Sequence, residues 1–301
     1  MRLGKFIINI LYRNSYKSTL KRRPHYPPHG EFKELINIPY IEGDDNPLHS
    51  FDVYQANENR NNICFIDIHG GSYIFGEHKD NYPFCYYFVK RGFDAVNVDY
   101  IVNDGKTRSV YDTIDDIVKC LNYVFSHLKE LGLENDKFVL TGDSAGGHFA
   151  LLMAELLSDE EYAAKLGYKF PKIPLLAVAV NCPVYDFAHI KDGWLANSGA
   201  KRMFGPRHKE ENYFLNLCPK AHIDSLRCPI FTSTCTKDFL RSHSLLLQED
   251  MKTRSNKFGI CDIASKRKGI GHVHNVLHPE YEESIIVNDA MIDFVLDCEQ
   301  K

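Results

Sequence analysis

Residues 137–157 read KFVLTGDSAGGHFALLMAELL, and the fold follows from how this stretch divides. Lys137 to Thr141 is a short strand-like run, whereas Ala145 to Leu157 repeats apolar residues at helical spacing. Between them Gly142-Asp143-Ser144-Ala145-Gly146 forms a G-x-S-x-G at a strand-to-helix junction. Such a junction needs small neighbours, because the serine sits on a tight turn that leaves no room for side chains. The helix that follows directs its N-terminal dipole at the same point. Ser144 is therefore the candidate nucleophile.

Upstream, the apolar run Ile63 to Ile68 leads into His69-Gly70-Gly71-Ser72-Tyr73, 75 residues before the serine counted from His69. Attack of a serine on a carbonyl develops negative charge on oxygen, and N–H groups of a glycine-rich loop reach such an oxygen without obstruction. The main-chain N–H groups of Gly70, Gly71 and Ala145 are the expected oxyanion-hole donors. Ala95 to Val98, Phe138 to Leu140, Leu175 to Val180 and Ile230 to Ser233 are further strand-like runs, and Ser50 to Tyr54 is expected to add an antiparallel edge strand. Val110 to Leu128 and Glu282 to Leu296 read as helices. Strands alternating with helices predict an α/β protein, a mostly parallel central sheet flanked by helices, as one domain over residues 1–301. The stretch from Asp186 to Ile223, with Trp194, Phe204 and Phe214, is too long for an ordinary connection and reads as a small cap insertion. Residues 1–30 carry seven basic residues and no acidic one, which predicts a flanking segment that packs over the mouth of the site with its charges solvated.

A formal charge of −4 supplies no broad positive field, so nucleic acid is excluded as an expected partner. The nine cysteines are dispersed, with no C-x-x-C pair and no grouping with histidine. That pattern predicts reduced thiols in a cytoplasmic protein and no metal centre. The apolar run Phe6 to Tyr12 is short and interrupted by Asn9, and nothing approaches the ~18 apolar residues that span a bilayer. No stable membrane insertion is expected.

HGGSY followed by GDSAGGH resembles the hormone-sensitive-lipase and acetyl-esterase branch of the α/β-hydrolases, whose members carry HGGG and GDSAGG. The likeness runs from about residue 60 to the end. Ser72 stands in place of the third glycine, and Tyr100-Ile101-Val102 in place of a Tyr-Arg-Leu-Ala-Pro-like run. The resemblance implies the α/β-hydrolase fold and a serine carboxylesterase cleaving short-chain esters of small molecules. It further implies a triad in the chain order Ser-Asp-His and no cofactor or metal. Asp238 follows the strand Ile230 to Ser233 and matches the family's Asp-x-Leu, while Asp186, after the preceding strand, is the rival acid. His272, in Gly269-Ile270-Gly271-His272 before the last helix, matches the family's terminal histidine, with His274 and His278 as spare candidates. His148, four residues past the serine, is expected to pack. HGGSY also resembles the HGG-x-W of arylformamidases. That activity, carbohydrate deacetylation, and a small-molecule receptor on the same fold are the alternatives.

Overall fold

The computed structural model describes residues 32–57, 59–187, 200–266 and 270–300. The N-terminal basic segment, Trp194 and Gly269 lie outside the described residues. Eight strands form one sheet in the order β1-β2-β4-β3-β5-β6-β7-β8. They are β1 (Lys33–Pro39), β2 (Ser50–Gln55), β3 (Ile63–Ile68), β4 (Asp94–Val98), β5 (Lys137–Asp143), β6 (Leu175–Asn181), β7 (Ile230–Cys235) and β8 (Phe258–Ile263). β2 pairs antiparallel with both β1 and β4, and β4, β3, β5, β6, β7 and β8 run parallel. β2, β3 and β4 are buried at every position, including the polar Asp52, Asp67, Asp94 and Asn97 that interrupt their apolar residues.

Five longer helices cover the two faces: α1 (Tyr82–Val89), α2 (Val110–Ser126), α3 (Ala145–Ser158), α4 (Arg241–Met251) and α5 (Glu282–Glu299). Successive strand residues point to opposite faces. Cys64, Ile66 and Ile68 therefore join the cluster containing Ile117 and Leu121 of α2, Phe149 and Leu152 of α3, and Leu247 of α4. Ile63 and Phe65 join Phe84 and Phe88 of α1 and Met291 and Val295 of α5. Asp67 shares that second face, where α1 begins. Ser109 caps α2 through a reciprocal bond with Asp112, whose Oδ2 accepts the Ser109 N–H at 2.6 Å.

The expected edge position of Ser50 to Tyr54 is corrected: β1 pairs outside it. β1 escapes a period-two reading because its register shifts between Leu35 and Ile38, around Asn37 at φ 54°. The Asn37 N–H turns inward to Asp52 Oδ1 at 2.7 Å. β8 and α1 also went unread as bounded elements. FGICDI is short and begins with Phe-Gly, and YPFCYYFV is made of residues with poor helix propensity.

Where described, the chain from β6 to β7 contains short helical turns at Ala200–Phe204, Tyr213–Leu217 and Pro219–His222. Asn103 Nδ2 donates to Met203 O at 3.0 Å, and its own N–H donates to Tyr73 O at 2.8 Å. Asn103, through its main chain and its buried side chain, thus ties this segment to the glycine-rich loop. Among the described residues no helix is long and apolar enough to cross a membrane.

Candidate active site

Ser144 stands between β5 and α3 at φ 54° and ψ −114°, a region non-glycine residues rarely occupy. Such a conformation costs on the order of 1–3 kcal/mol and persists only where the surroundings impose it. Here they do. The Ser144 N–H donates to Asn181 O at 2.9 Å, and Ser144 O accepts from Val184 N at 3.1 Å and His148 N at 3.1 Å. Gly146 is required by close approach: a Cβ there would lie 1.9 Å from Ile68 O.

His272 reaches the serine from the loop before the last helix. Its Nε2 lies 2.9 Å from Ser144 Oγ, and its Nδ1 lies 2.6 Å from Asp238 Oδ1. Asp238 sits in the turn after β7, held by Thr234 Oγ1 at 2.8 Å and the Leu240 N–H at 2.9 Å. Burial pushes its carboxyl up, but hydrogen bonding to His272 and the attraction of its charge outweigh this and leave it below the ordinary value. The rival candidates are elsewhere. Asp186 Oδ2 faces Lys220 Nζ at 3.4 Å, His274 Nδ1 lies 3.1 Å from Gly271 O, and His278 stacks on Tyr281. His148 is fully buried and its Nε2 donates to Leu217 O at 2.7 Å, so it carries its proton there. Burial lowers its pKa to about 4, and it packs as a neutral ring.

Of the three expected oxyanion donors, Gly70 is corrected. Its N–H is taken by Asp143 Oδ1 at 2.8 Å, inside the protein. Ala145 opens α3, where the first N–H groups have no intrahelical acceptor. The N–H groups of Gly71 and Ser72 also make no hydrogen bond among the described residues. Gly71 adopts φ 130°, and a Cβ there would meet Phe75 O at 1.7 Å, so only glycine forms this turn. The motif alone does not show that the Asp143 carboxylate takes the Gly70 N–H.

Sequence reasoning also missed the groups that hold this loop. Asn81, just before α1, donates from Nδ2 to Asp143 Oδ1 at 2.8 Å and to Asp67 Oδ2 at 2.8 Å. Burial and the neighbouring Asp143 raise the Asp67 carboxyl to about 8. On the other side His69 Nε2 lies 3.1 Å from Asp99 Oδ1, and His78 bridges Asp99 Oδ2 at 2.6 Å and Asp52 Oδ2 at 3.1 Å. Burial alone would lower the His78 pKa, but the two carboxylates raise it to about 9. Tyr100, from the run that departs from the family pattern, stacks on His69 at 4.1 Å and donates its hydroxyl to His69 O. These partners are scattered over the sequence, and no local spacing marks them.

Cys182 Sγ, Asp238 and His272 place ligand-type atoms within 4.8 Å of one another. Cys182 is fully buried, and desolvation, then the charge of Asp238, push its thiol well above the ordinary range, against the thiolate a metal requires. Its sulfur instead accepts the Val273 N–H at 3.4 Å. The thiol packs beside Asp238 and His272.

The chain is 27% identical over 182 residues to Esterase LipQ of Mycobacterium tuberculosis, covering 58% of this chain and 42% of that protein. It is 27% identical over 171 residues to Probable carboxylic ester hydrolase LipM of the same organism, covering 55% and 39%. It therefore spans less than half the length of these curated relatives. Among solved structures, Esterase B from Lactobacillus rhamnosis superposes with a TM-score of 0.85 at 21% identity, over 99% of this chain and 96% of that one. This likeness shows the fold, that of the α/β-hydrolases. Residues 51–250, well over half the chain and including both the glycine-rich loop and the serine turn, match the BD-FAE family model, and the chain belongs to the BD-FAE family.

Proposed function

We propose that the protein is a serine carboxylesterase that hydrolyses short-chain esters of small molecules through Ser144, His272 and Asp238. One observation carries the reading: a continuous line of hydrogen-bonded atoms runs from Asp238 Oδ1 through both nitrogens of His272 to Ser144 Oγ. The curated relatives, both named as ester hydrolases, point the same way.

In this mechanism His272 Nε2 takes the proton of Ser144 as Oγ attacks the carbonyl carbon. The oxyanion that forms accepts the N–H groups of Ala145 and Gly71, with Ser72 as the adjacent donor. His272 returns the proton to the alcohol oxygen, the C–O bond breaks, and an acyl-serine remains. A water deprotonated by His272 then releases the acid. Asp238 holds the imidazole with Nδ1 protonated and stabilises the imidazolium. The described part of the β6–β7 segment, residues 200–223, is read as a small cap. All nine cysteines are free thiols, which fits a reducing compartment such as the cytoplasm.

The test is hydrolysis of acetyl and butyryl esters by wild type and Ser144→Ala, with labelling by a fluorophosphonate probe. Alanine fits the turn, so the variant is expected to fold, lose labelling and lose turnover by several orders of magnitude. Turnover near wild type in Ser144→Ala would reject the assignment. Formamide and acetylated sugars in the same panel separate the esterase from an arylformamidase or a deacetylase.

A further inference from the structure

Phe239 is 74% exposed, the most exposed large apolar side chain among the described residues. Its ring lies 4.1 Å from that of His272, tilted by 40°, and His272 is its only ring partner among the described residues. The backbone beneath it is fixed. Asp238, on one side, takes the Leu240 N–H at 2.9 Å and accepts at its carbonyl from Arg241 N at 3.2 Å. An aromatic residue held rigidly in water beside the acid-base group has little to gain from folding, since most of its surface stays wet.

We propose that Phe239 forms the alcohol-side wall of the site and selects esters of aromatic alcohols. The inference rests on the esterase reading above and names the substrate class for it. The argument is positional. The leaving oxygen must come within about 3 Å of His272 Nε2 to receive its proton. The acyl part is held on the other side, by Ser144 and the N–H groups of Gly71 and Ala145. Whatever the alcohol oxygen carries therefore emerges alongside the imidazole, next to the exposed face of Phe239. A ring on the alcohol can stack there, whereas a methyl or ethyl group is too small to reach it.

The contact exists only until the alcohol departs. It acts on kcat/KM, which reports acylation, and leaves hydrolysis of the shared acetyl-enzyme unchanged. The experiment compares ethyl acetate, cyclohexylmethyl acetate and benzyl acetate with wild type, Phe239→Ala, Phe239→Leu and Phe239→Tyr, and measures fluorophosphonate labelling of Ser144 in each. The expected result for Phe239→Ala is a loss of about 3- to 10-fold in kcat/KM for benzyl acetate, the range of one aromatic pair. Ethyl acetate should be unchanged, and Phe239→Tyr should restore benzyl acetate. Phe239→Leu should keep cyclohexylmethyl acetate but not benzyl acetate. An equal loss on all three esters, or none on benzyl acetate, overturns the proposal and leaves Phe239 as a support for His272. If wild type neither labels nor turns over any ester, the esterase reading falls with it.

Discussion

Asp143 Oδ1 accepts the N–H of Gly70 at 2.8 Å, joining the nucleophile turn to the glycine-rich loop across 73 residues of chain. The residue before the serine thereby sets where Gly71 points. A Cβ on Gly70 would lie 2.3 Å from Asp143 Oδ2, so the fit is close as well as bonded.

Breaking this link is expected to lower kcat by about 10- to 100-fold, less than the loss of a whole oxyanion donor, because the loop is displaced rather than deleted. Asp143→Ala should show the full effect with KM little changed. Asp143→Asn keeps an acceptor oxygen and should retain more activity. The check is steady-state kinetics on butyryl esters, and equal activity in all three proteins would show that the loop holds its shape without Asp143.

The acid and base are tested by substitutions that preserve shape. Asp238→Asn removes the charge facing His272 Nδ1 and is expected to cost on the order of 10⁴ in kcat, as when a triad aspartate is amidated. Asp186→Asn, whose largely buried carboxylate faces Lys220 rather than His272, should stay within about 3-fold of wild type in kcat. His272→Ala should lose activity by orders of magnitude and His274→Ala little. A larger defect in folded Asp186→Asn than in Asp238→Asn would move the acid to the end of β6.

The serine turn, the glycine-rich loop and five parallel strands were legible because each is local. The G-x-S-x-G spacing is contiguous in sequence, and so are the mostly apolar runs of β3 and β6, so each can be read without knowing what it packs against. Asp238 and His272 were legible by resemblance and by their places after β7 and before α5. Asn81, Asp67, His78 and Asp99 were not, because burial brings them together from separate strands and turns. Their residue types look solvated until the sheet is assembled. β1 was hidden by a bulge, and Gly70 was misassigned because its N–H is bonded to a side chain distant in sequence.

Glu155 on α3 is fully buried, and neither carboxyl oxygen has a hydrogen-bond partner among the described residues. Burial raises its pKa well above the ordinary value, so the folded protein holds it protonated. The unfolded chain ionises it above about pH 4.3, and wild-type stability therefore falls as pH rises from there toward the folded-state pKa. Glu155→Met keeps the volume and removes the unpaired acid. It is expected to stabilise the protein by about 1–3 kcal/mol near neutral pH, with a smaller gain near pH 4. Calorimetric melting at both pH values checks this, and a gain that does not grow with pH would show that Glu155 is satisfied in the folded state.

Acyl-chain length is set by what fills the space around Ser144. Tyr73 follows Gly71 by two residues, and His148 lies one helical turn past the serine. Their rings are 5.6 Å apart, and Tyr73 packs against Phe204 at 5.2 Å. Phe204 in turn meets Phe187 at 5.3 Å and Phe214 at 5.0 Å. This aromatic cluster packs between the glycine-rich loop, α3 and the β6–β7 segment. Acetyl and butyryl esters are expected to turn over faster than palmitoyl esters. Phe204→Ala should shift the optimum toward longer chains, at a cost of about 3–5 kcal/mol in stability from the cavity it creates. The opposing influence is the charge of residues 1–30, whose seven basic residues and no acidic one favour an anionic surface. Turnover of the three esters is therefore measured with and without anionic vesicles. A palmitoyl preference that appears at the vesicle surface would mean that the N-terminal segment, and not the aromatic cluster, governs which chains reach Ser144.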